Sequence, residues 1–166
     1  MVFNQIAIIG VGLMYMMTGT LNMADLATRI PHLLHVRTIE AALAFLTVGA
    51  SLKLALFPLH FWLPNAYAFA PTVVTVFLAA TATKVAVYVI FRVVFTFYGG
   101  SVVFDATPMN ELLLGLGILS MIAGALTAIY QVNVKRLLAF SSVSQIGYMV
   151  LGLGLASVTG VAGGVA

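Results

Sequence analysis

The chain has 166 residues and a mass of 17.5 kDa, and is 63% hydrophobic but only 7% charged, where a soluble domain carries about a quarter charged residues. With seven Lys+Arg, four Asp+Glu and a mean hydropathy of +1.16, it has too little polar area to cover a water-exposed exterior, so its solvent is mostly lipid. The net charge of +3 is scattered singly and makes no stripe that could follow a phosphate backbone, which excludes nucleic acid. The absence of Cys removes disulfides, thiolate metal sites, iron–sulfur ligation and cysteine nucleophiles.

A bilayer-spanning helix needs about 20 mainly apolar residues. Five such runs predict an all-α, polytopic transmembrane helix bundle, a single membrane domain over residues 1–166. The first run, residues 2–18, opens with Asn4 and Gln5 instead of a basic segment and reads as a span, not a signal peptide. Residues 20–37 carry Asp25, Arg29, Pro31, His32, His35 and Arg37 among leucines, which predicts a connection along the headgroup region, helical from Asn22 to Arg29. The second span, 38–63, contains Lys53, Pro58 and His60 and is expected to be broken. Pro58 has no N–H and its ring crowds the carbonyl of Leu54, opening the helix one residue after Lys53. A carbonyl bared at that depth must face water or protein. Residues 64–71, bounded by Pro64 and Pro71, read as a turn, with Trp62 and Tyr67 suited to the interface.

The third span, 72–97, carries Lys84 near its middle and Arg92 nearer its far end, and Gly99-Gly100-Ser101 closes it. A connection with Asp105 and Pro108 leads to the fourth span, 110–130, with Glu111 at its mouth. A polar turn over 131–136 precedes the fifth span, 137–157, and a Gly- and Ala-rich end follows from Thr159 to Ala166. Lys and Arg counts in alternating loops do not fix the orientation, and neither an internal repeat nor a low-complexity linker is present.

Lys53 and Lys84 lie inside apolar runs. A lysine at the centre of a bilayer helix costs about 2.5 to 3.5 kcal/mol on insertion scales, so both are expected to face the protein interior. One reading has each snorkel to an interface or cap a carbonyl. The other is ion handling, because burial brings a lysine towards neutrality and lets it take up and release a proton. Thr81, Lys84 and Tyr88 share one helix face that could hold ordered water. His60 lies two helical turns beyond Lys53 and either passes protons to bulk water or is a satisfied interfacial histidine. Ser141, Ser144, Gln145 and Tyr148 form a second stripe, either interhelical glue or a water wire. Lys135 and Arg136 orient the fifth helix in the headgroup region, with Lys135 close enough to reach into the path. Glu40 lies roughly 20 Å along a helix from Lys53, too far to be its partner. His32 and His35 lack a carboxylate to complete a metal shell. No phosphate loop, nucleophile elbow, paired catalytic carboxylates or haem-ligating pair is present, so no metal, cofactor or self-contained enzyme is expected.

The run Lys53-Leu-Ala-Leu-Phe57-Pro58-Leu59-His60-Phe61-Trp62-Leu63-Pro64-Asn65-Ala66, then Ala70-Pro71-Thr72 and Thr83-Lys84-Val85-Ala86-Val87-Tyr88 with Arg92, resembles the proton-conducting membrane subunits shared by respiratory NADH:quinone oxidoreductase (complex I) and Mrp-type sodium/proton antiporters. Thr18-Gly19-Thr20-Leu21-Asn22, Val134-Lys135-Arg136-Leu137-Leu138-Ala139-Phe140-Ser141-Ser142 and Ser144-Gln145-Ile146-Gly147-Tyr148 extend the likeness over nearly the whole chain, closest to the D-type member of the Mrp antiporters. Asn65, Val73, Leu78 and Gln145 depart from the residues common at those positions. The resemblance implies helices six to ten of about fourteen, with Lys53 on broken helix seven, Lys84 on helix eight, and Lys135 with Arg136 at a cytoplasmic start of helix ten. It also implies that the helix-seven lysine exchanges protons with a glutamate on helix five, and that the central lysine passes charge towards helix twelve.

The function so implied is proton or cation translocation within a multisubunit antiporter or respiratory complex, in a bacterial or archaeal cytoplasmic membrane. Other membrane subunits are the expected partners, supplying the missing carboxylates, with lipid around them. The expected path comprises Lys53, Lys84, His60, Lys135, Ser144, Gln145, Tyr148, Thr81 and Tyr88, with Pro58 as the helix break. The alternative is a non-conducting structural or assembly subunit.

Overall fold

A peptide group in lipid has no water to bond, and several helix ends among the described residues are closed by a specific partner. The computed structural model describes residues 2–98, 108–155 and 163. The expected closure at Gly99-Gly100-Ser101, the Asp105 connection, the last residues of the fifth span to Ser157 and the Gly- and Ala-rich end, Gly163 apart, lie outside the described residues.

Helix α1 (Val2–Thr18) is 17 residues long, about 26 Å and at the short limit for a span. It ends where Gly19 takes a positive φ of 69°, with the Gly19 N–H donating to the Tyr15 carbonyl at 2.8 Å. Arg29 Nη1 reaches back to the Thr18 carbonyl at 2.9 Å. Helix α2 (Met23–Leu33) is capped by the Asn22 side chain, which accepts from the Ala24 N–H. It is bent by 75° from α1, so α2 turns away from the line of α1. Its Leu26 and Ile30 are buried with Met14, Leu34, Ile39 and Leu43, while Asp25, Thr28 and Arg29 are exposed. This is the amphipathic face expected of a helix along a headgroup layer. It runs further than residues 22–29, to Leu33, and accommodates Pro31 in its last turn.

Helix α3 (Arg37–Leu54) leads through a short 3-10 turn (Leu59–Phe61) to α4 (Trp62–Phe69). Residues 64–71 are therefore mostly helical instead of a turn. Pro64 is tolerated because it falls in the first turn of α4, where backbone N–H groups have no intrahelical partner, and Ala70 leaves the helix just before Pro71. Helix α5 (Thr72–Phe91) continues into a π-helical turn (Arg92–Phe97). Helices α6 (Met109–Ile129) and α7 (Val134–Gly154) form a hairpin. The last begins three residues before the expected Leu137, because the Asn133 side chain accepts from the Lys135 N–H at 3.0 Å. Among the described residues, four helices are long and apolar enough to cross a membrane, or five if the bent α1–α2 pair is one span.

Small residues let the backbones approach. Gly10 lies against the Ala42 carbonyl, Gly49 against Ala7, and Gly117, Gly124, Gly147 and Gly154 line the α6–α7 seam. A Cβ built on Gly147 would lie 2.8 Å from the Gly117 carbonyl oxygen and the Met121 nitrogen, while one on Gly115 meets nothing within 4 Å. Gly147→Ala is expected to destabilise the chain by about 1–3 kcal/mol, and Gly115→Ala to be neutral or slightly stabilising. Denaturant titration in mixed micelles distinguishes the two.

Candidate functional site

The second span is interrupted at Ala55. Ala55 adopts φ 60°, and the turn closes with the Ala55 N–H on the Leu52 carbonyl (3.2 Å) and the Leu56 N–H on the Ser51 carbonyl (3.0 Å). This double bond pattern usually has glycine at the left-handed position; an L-residue there costs about 1 kcal/mol. The helix thus ends at Leu54, four residues before Pro58, by its own C-terminal motif, so the carbonyl recruited across the break is that of Leu52, not Leu54. Trp62 Nε1 donates to it at 2.8 Å, tying the second half of the span to the first. Pro58 is exposed and opens the 3-10 turn.

Lys53 sits in the last turn of α3, where the helix dipole favours a cation. It borders a cavity of about 130 Å³ lined also by Asn4, Gly49, Ala86 and Val93, between α1, α3 and the end of α5. Lys84 lies mid-helix in α5, and its Nζ donates to the Ala79 carbonyl at 2.5 Å. With Thr83, Ser142 and Gln145 it lines a cleft of about 20 Å³ between α5 and α7, room for one water. The expectation that both lysines face the interior is not met by this chain's own packing, because both are exposed. They occupy faces of α3 and α5 that the described helices leave uncovered.

The structure brings Lys84 and Gln145 together and separates the other polar residues. Thr81 and Tyr88 are exposed on α5, and the Thr81 hydroxyl bonds back to the Phe77 carbonyl at 2.8 Å. Ser144 is buried on a different face of α7 from Gln145, turned towards α6. Its hydroxyl donates to the Met121 carbonyl at 3.1 Å, and Ser120 donates to the Val143 carbonyl at 3.1 Å, an interhelical clasp. Tyr148 is exposed. Lys135 Nζ donates to the Ala70 carbonyl at 3.0 Å and Arg136 Nη2 to Asn65 Oδ1 at 3.3 Å. The basic start of α7 therefore holds the C-terminal end of α4. His60 is buried between Phe57 (ring centroids 5.4 Å apart), Phe61 (4.5 Å) and the edge of Phe140 (6.0 Å). Its Nδ1 has no hydrogen-bond partner among the described residues.

Three contributions were not anticipated. Asn4 joins Lys53 from far away in the chain, with no local signal. Ser142 joins the Lys84 cleft, one helical turn before Gln145 and so on the same helix face. Tyr67, expected at the interface, is buried among Leu63, Ala139 and Val143, and its hydroxyl is unpaired among the described residues.

The described residues form an all-helical, multi-pass membrane bundle with a broken span and lysines beside its cavities, which defines a polytopic membrane-embedded class of chain. Residues 4–166 match the family described as NADH:quinone oxidoreductase/Mrp antiporter, TM, and the chain belongs to that family. It is 42% identical over 153 residues to the N subunit of NADH-quinone oxidoreductase from Desulforudis audaxviator, covering 91% of this chain and 30% of that protein. It is 38% identical over 160 residues to the D subunit of the Na(+)/H(+) antiporter from Alkalihalophilus pseudofirmus, covering 95% and 31%. Among solved structures it resembles a chain of the archaeal membrane-bound sulfane sulfur reductase, a respiratory membrane complex, with a TM-score of 0.82 and 33% identity over 92% of this chain and 31% of that one. A chain of the Mrp complex from Dietzia sp. DQ12-45-1b gives a TM-score of 0.82 and 31% identity, over 93% and 27%. The chain spans about a third of the length of these curated relatives.

The Trp62–Leu52 bond makes a test of the break. Trp62→Phe keeps a ring but removes the donor, and is expected to cost about 1 kcal/mol in micellar unfolding and to speed hydrogen exchange at Ala55 and Leu56.

Proposed function

We propose that this chain forms the central part of a proton or cation path in a multisubunit antiporter or respiratory complex of the cell membrane. Lys53 takes up a proton where α3 ends, Lys84 relays it, and Gln145 holds water between them and α7. Thr81 and Tyr88 line the Lys84 face, Tyr148 lies beyond Gln145, and Ser144 and Lys135 keep α7 seated on α6 and α4. His60 connects the break to one aqueous side. Neighbouring membrane subunits or helices bring carboxylates to the two lysines. The observation that carries this reading is the water-sized cleft shared by Lys84 and Gln145 across α5 and α7, because a mid-membrane amine is stable only beside water or a counter-charge. Membership of the family and the likeness to the Mrp complex support the same reading.

Lys84→Ala in the assembled complex is expected to abolish proton or sodium flux in vesicles; undiminished flux would overturn the relay. The exposure of both lysines also favours a second reading, a non-conducting subunit whose lysines pair with partner carboxylates to hold the assembly. Lys53→Met separates the two. A transport role leaves the complex intact with flux lost, whereas a scaffold role loses the complex itself, as native gel electrophoresis of the solubilised membrane would record.

A further inference from the structure

Two buried polar atoms of the second half of the broken span have nothing to bond to. Nδ1 of His60 and the hydroxyl of Tyr67 are both unpaired among the described residues, in side chains only 3% and 2% exposed. Native interiors rarely leave such groups orphaned, and ordered water is the usual partner where protein supplies none. Both residues face the same stretch of α7. The His60 ring meets Phe140, and Tyr67 is buried with Ala139 and Val143. They are about two helical turns apart, or about 11 Å along the axis. Side chains on a helix tilt towards its N-terminus, and the phenol is the longer of the two side chains, so a few water molecules would bridge the remaining distance.

The far end of this line is polar as well. The Tyr67 carbonyl accepts from the Thr75 hydroxyl at 3.3 Å, the same hydroxyl lies 3.5 Å from the Ala70 carbonyl, and Lys135 Nζ donates to that carbonyl at 3.0 Å. Polar groups therefore run from the basic start of α7, along α4, to the ring beside the helix break.

We propose that Tyr67 belongs to the ion path: its phenol and His60 Nδ1 share ordered water inside the α4–α7 interface, forming an inlet between the Lys135 end of α4 and the break. The proton balance is neutral at each station. The phenol oxygen accepts a proton from water on one side and gives up its own on the other. The imidazole takes a proton at Nδ1 and releases one from Nε2, returning to the neutral ring as the other tautomer. No co-reactant is required; rotation of the phenol hydroxyl and water resets those stations, and rotation of the imidazole ring about its Cβ–Cγ bond resets the tautomer for the next proton.

This inference rests on the transport reading above, and the test separates the two. Tyr67→Phe keeps the ring and removes only the hydroxyl. In the assembled complex it is expected to lower proton flux roughly a hundredfold, the low end for a positioned proton-transfer group. Tyr67→His, which restores a group able to pass a proton, is expected to recover much of that loss, which a purely packing role would not produce. In parallel, infrared difference spectra of the complex transferred to D2O, parent minus Tyr67→Phe, are expected to show the phenol deuterated within minutes. Full flux in Tyr67→Phe with flux abolished in Lys84→Ala would overturn the inlet and leave the transport reading standing. If Lys84→Ala also conducts fully, the transport reading falls, and the water site then stands or falls on the infrared band, a protected phenol refuting it.

Discussion

The structure depends on how an interrupted helix is made tolerable at membrane depth. Every peptide N–H and C=O in the hydrocarbon layer needs a protein or water partner, and ending α3 at Leu54 frees several at once. The left-handed turn at Ala55 recovers the carbonyls of Ser51 and Leu52, and the Trp62 indole returns to Leu52 from the other side of the gap. That indole bond ties the second half of the span to the first, beside the Lys135–Ala70 and Arg136–Asn65 bonds that hold α4 on α7. The 3-10 turn carrying His60 lies against Phe140, and α4 packs along α7. The break also puts Lys53 at a helix C-terminus, where the partial negative charge of the last carbonyls favours an ammonium. The interruption thus creates both the electrostatic seat for Lys53 and the pocket around His60.

Helix α7 is the element on which the other parts converge. One face is small, with Ser144, Gly147 and Gly154 set against Gly117, Ser120, Met121 and Leu114 of α6. A second, with Ala139 and Val143, receives α4 through Leu63 and Tyr67. A third presents Ser142, Gln145 and Met149 to Thr83 and Lys84 of α5. A helix with a packing partner on three sides cannot show one apolar stripe, so the polar residues of α7 point in different directions. Ser144 and Gln145 are neighbours in sequence, yet one clasps α6 and the other lines the Lys84 cleft.

Much of this was legible in the sequence, for reasons that differ by element. The spans were, because apolar runs in lipid admit only helices. The α1 end at Gly19, the amphipathic α2 and the interruption after Lys53 were too, because each is written in local chemistry. The position of the break, one residue after Lys53, was legible, but its cause was not, since Pro58 is the conspicuous breaker while Ala55 carries no mark of the left-handed turn that ends the helix. Residues 64–71 looked like a turn because two prolines bound them, although one lies where a helix start accepts it. The site was less legible. Lys84 and Gln145 announced themselves as polar residues in apolar runs, but their pairing depends on how α5 rolls against α7. The burial of Tyr67 comes from the packing of α4 against Ala139 and Val143 of α7, a tertiary contact with no trace in local composition.

The exposure of Lys53 and Lys84 is the remaining physical tension. An ammonium facing acyl chains near the bilayer centre costs about 2.5 to 3.5 kcal/mol, and the Ala79 carbonyl offers Lys84 only partial compensation because it is neutral and already belongs to the backbone of α5. The cavities beside the two lysines, about 130 Å³ and 20 Å³, have room for water on one side of each and leave the outer side open. Under the proposed function those open sides are where neighbouring helices deliver carboxylates, so the same ammonium groups that would destabilise a lone bundle direct its assembly. Transport and assembly then draw on one interaction. A lysine held between water and a partner carboxylate is stabilised as the ammonium with water at hand to carry its proton, whereas lipid favours only the neutral amine.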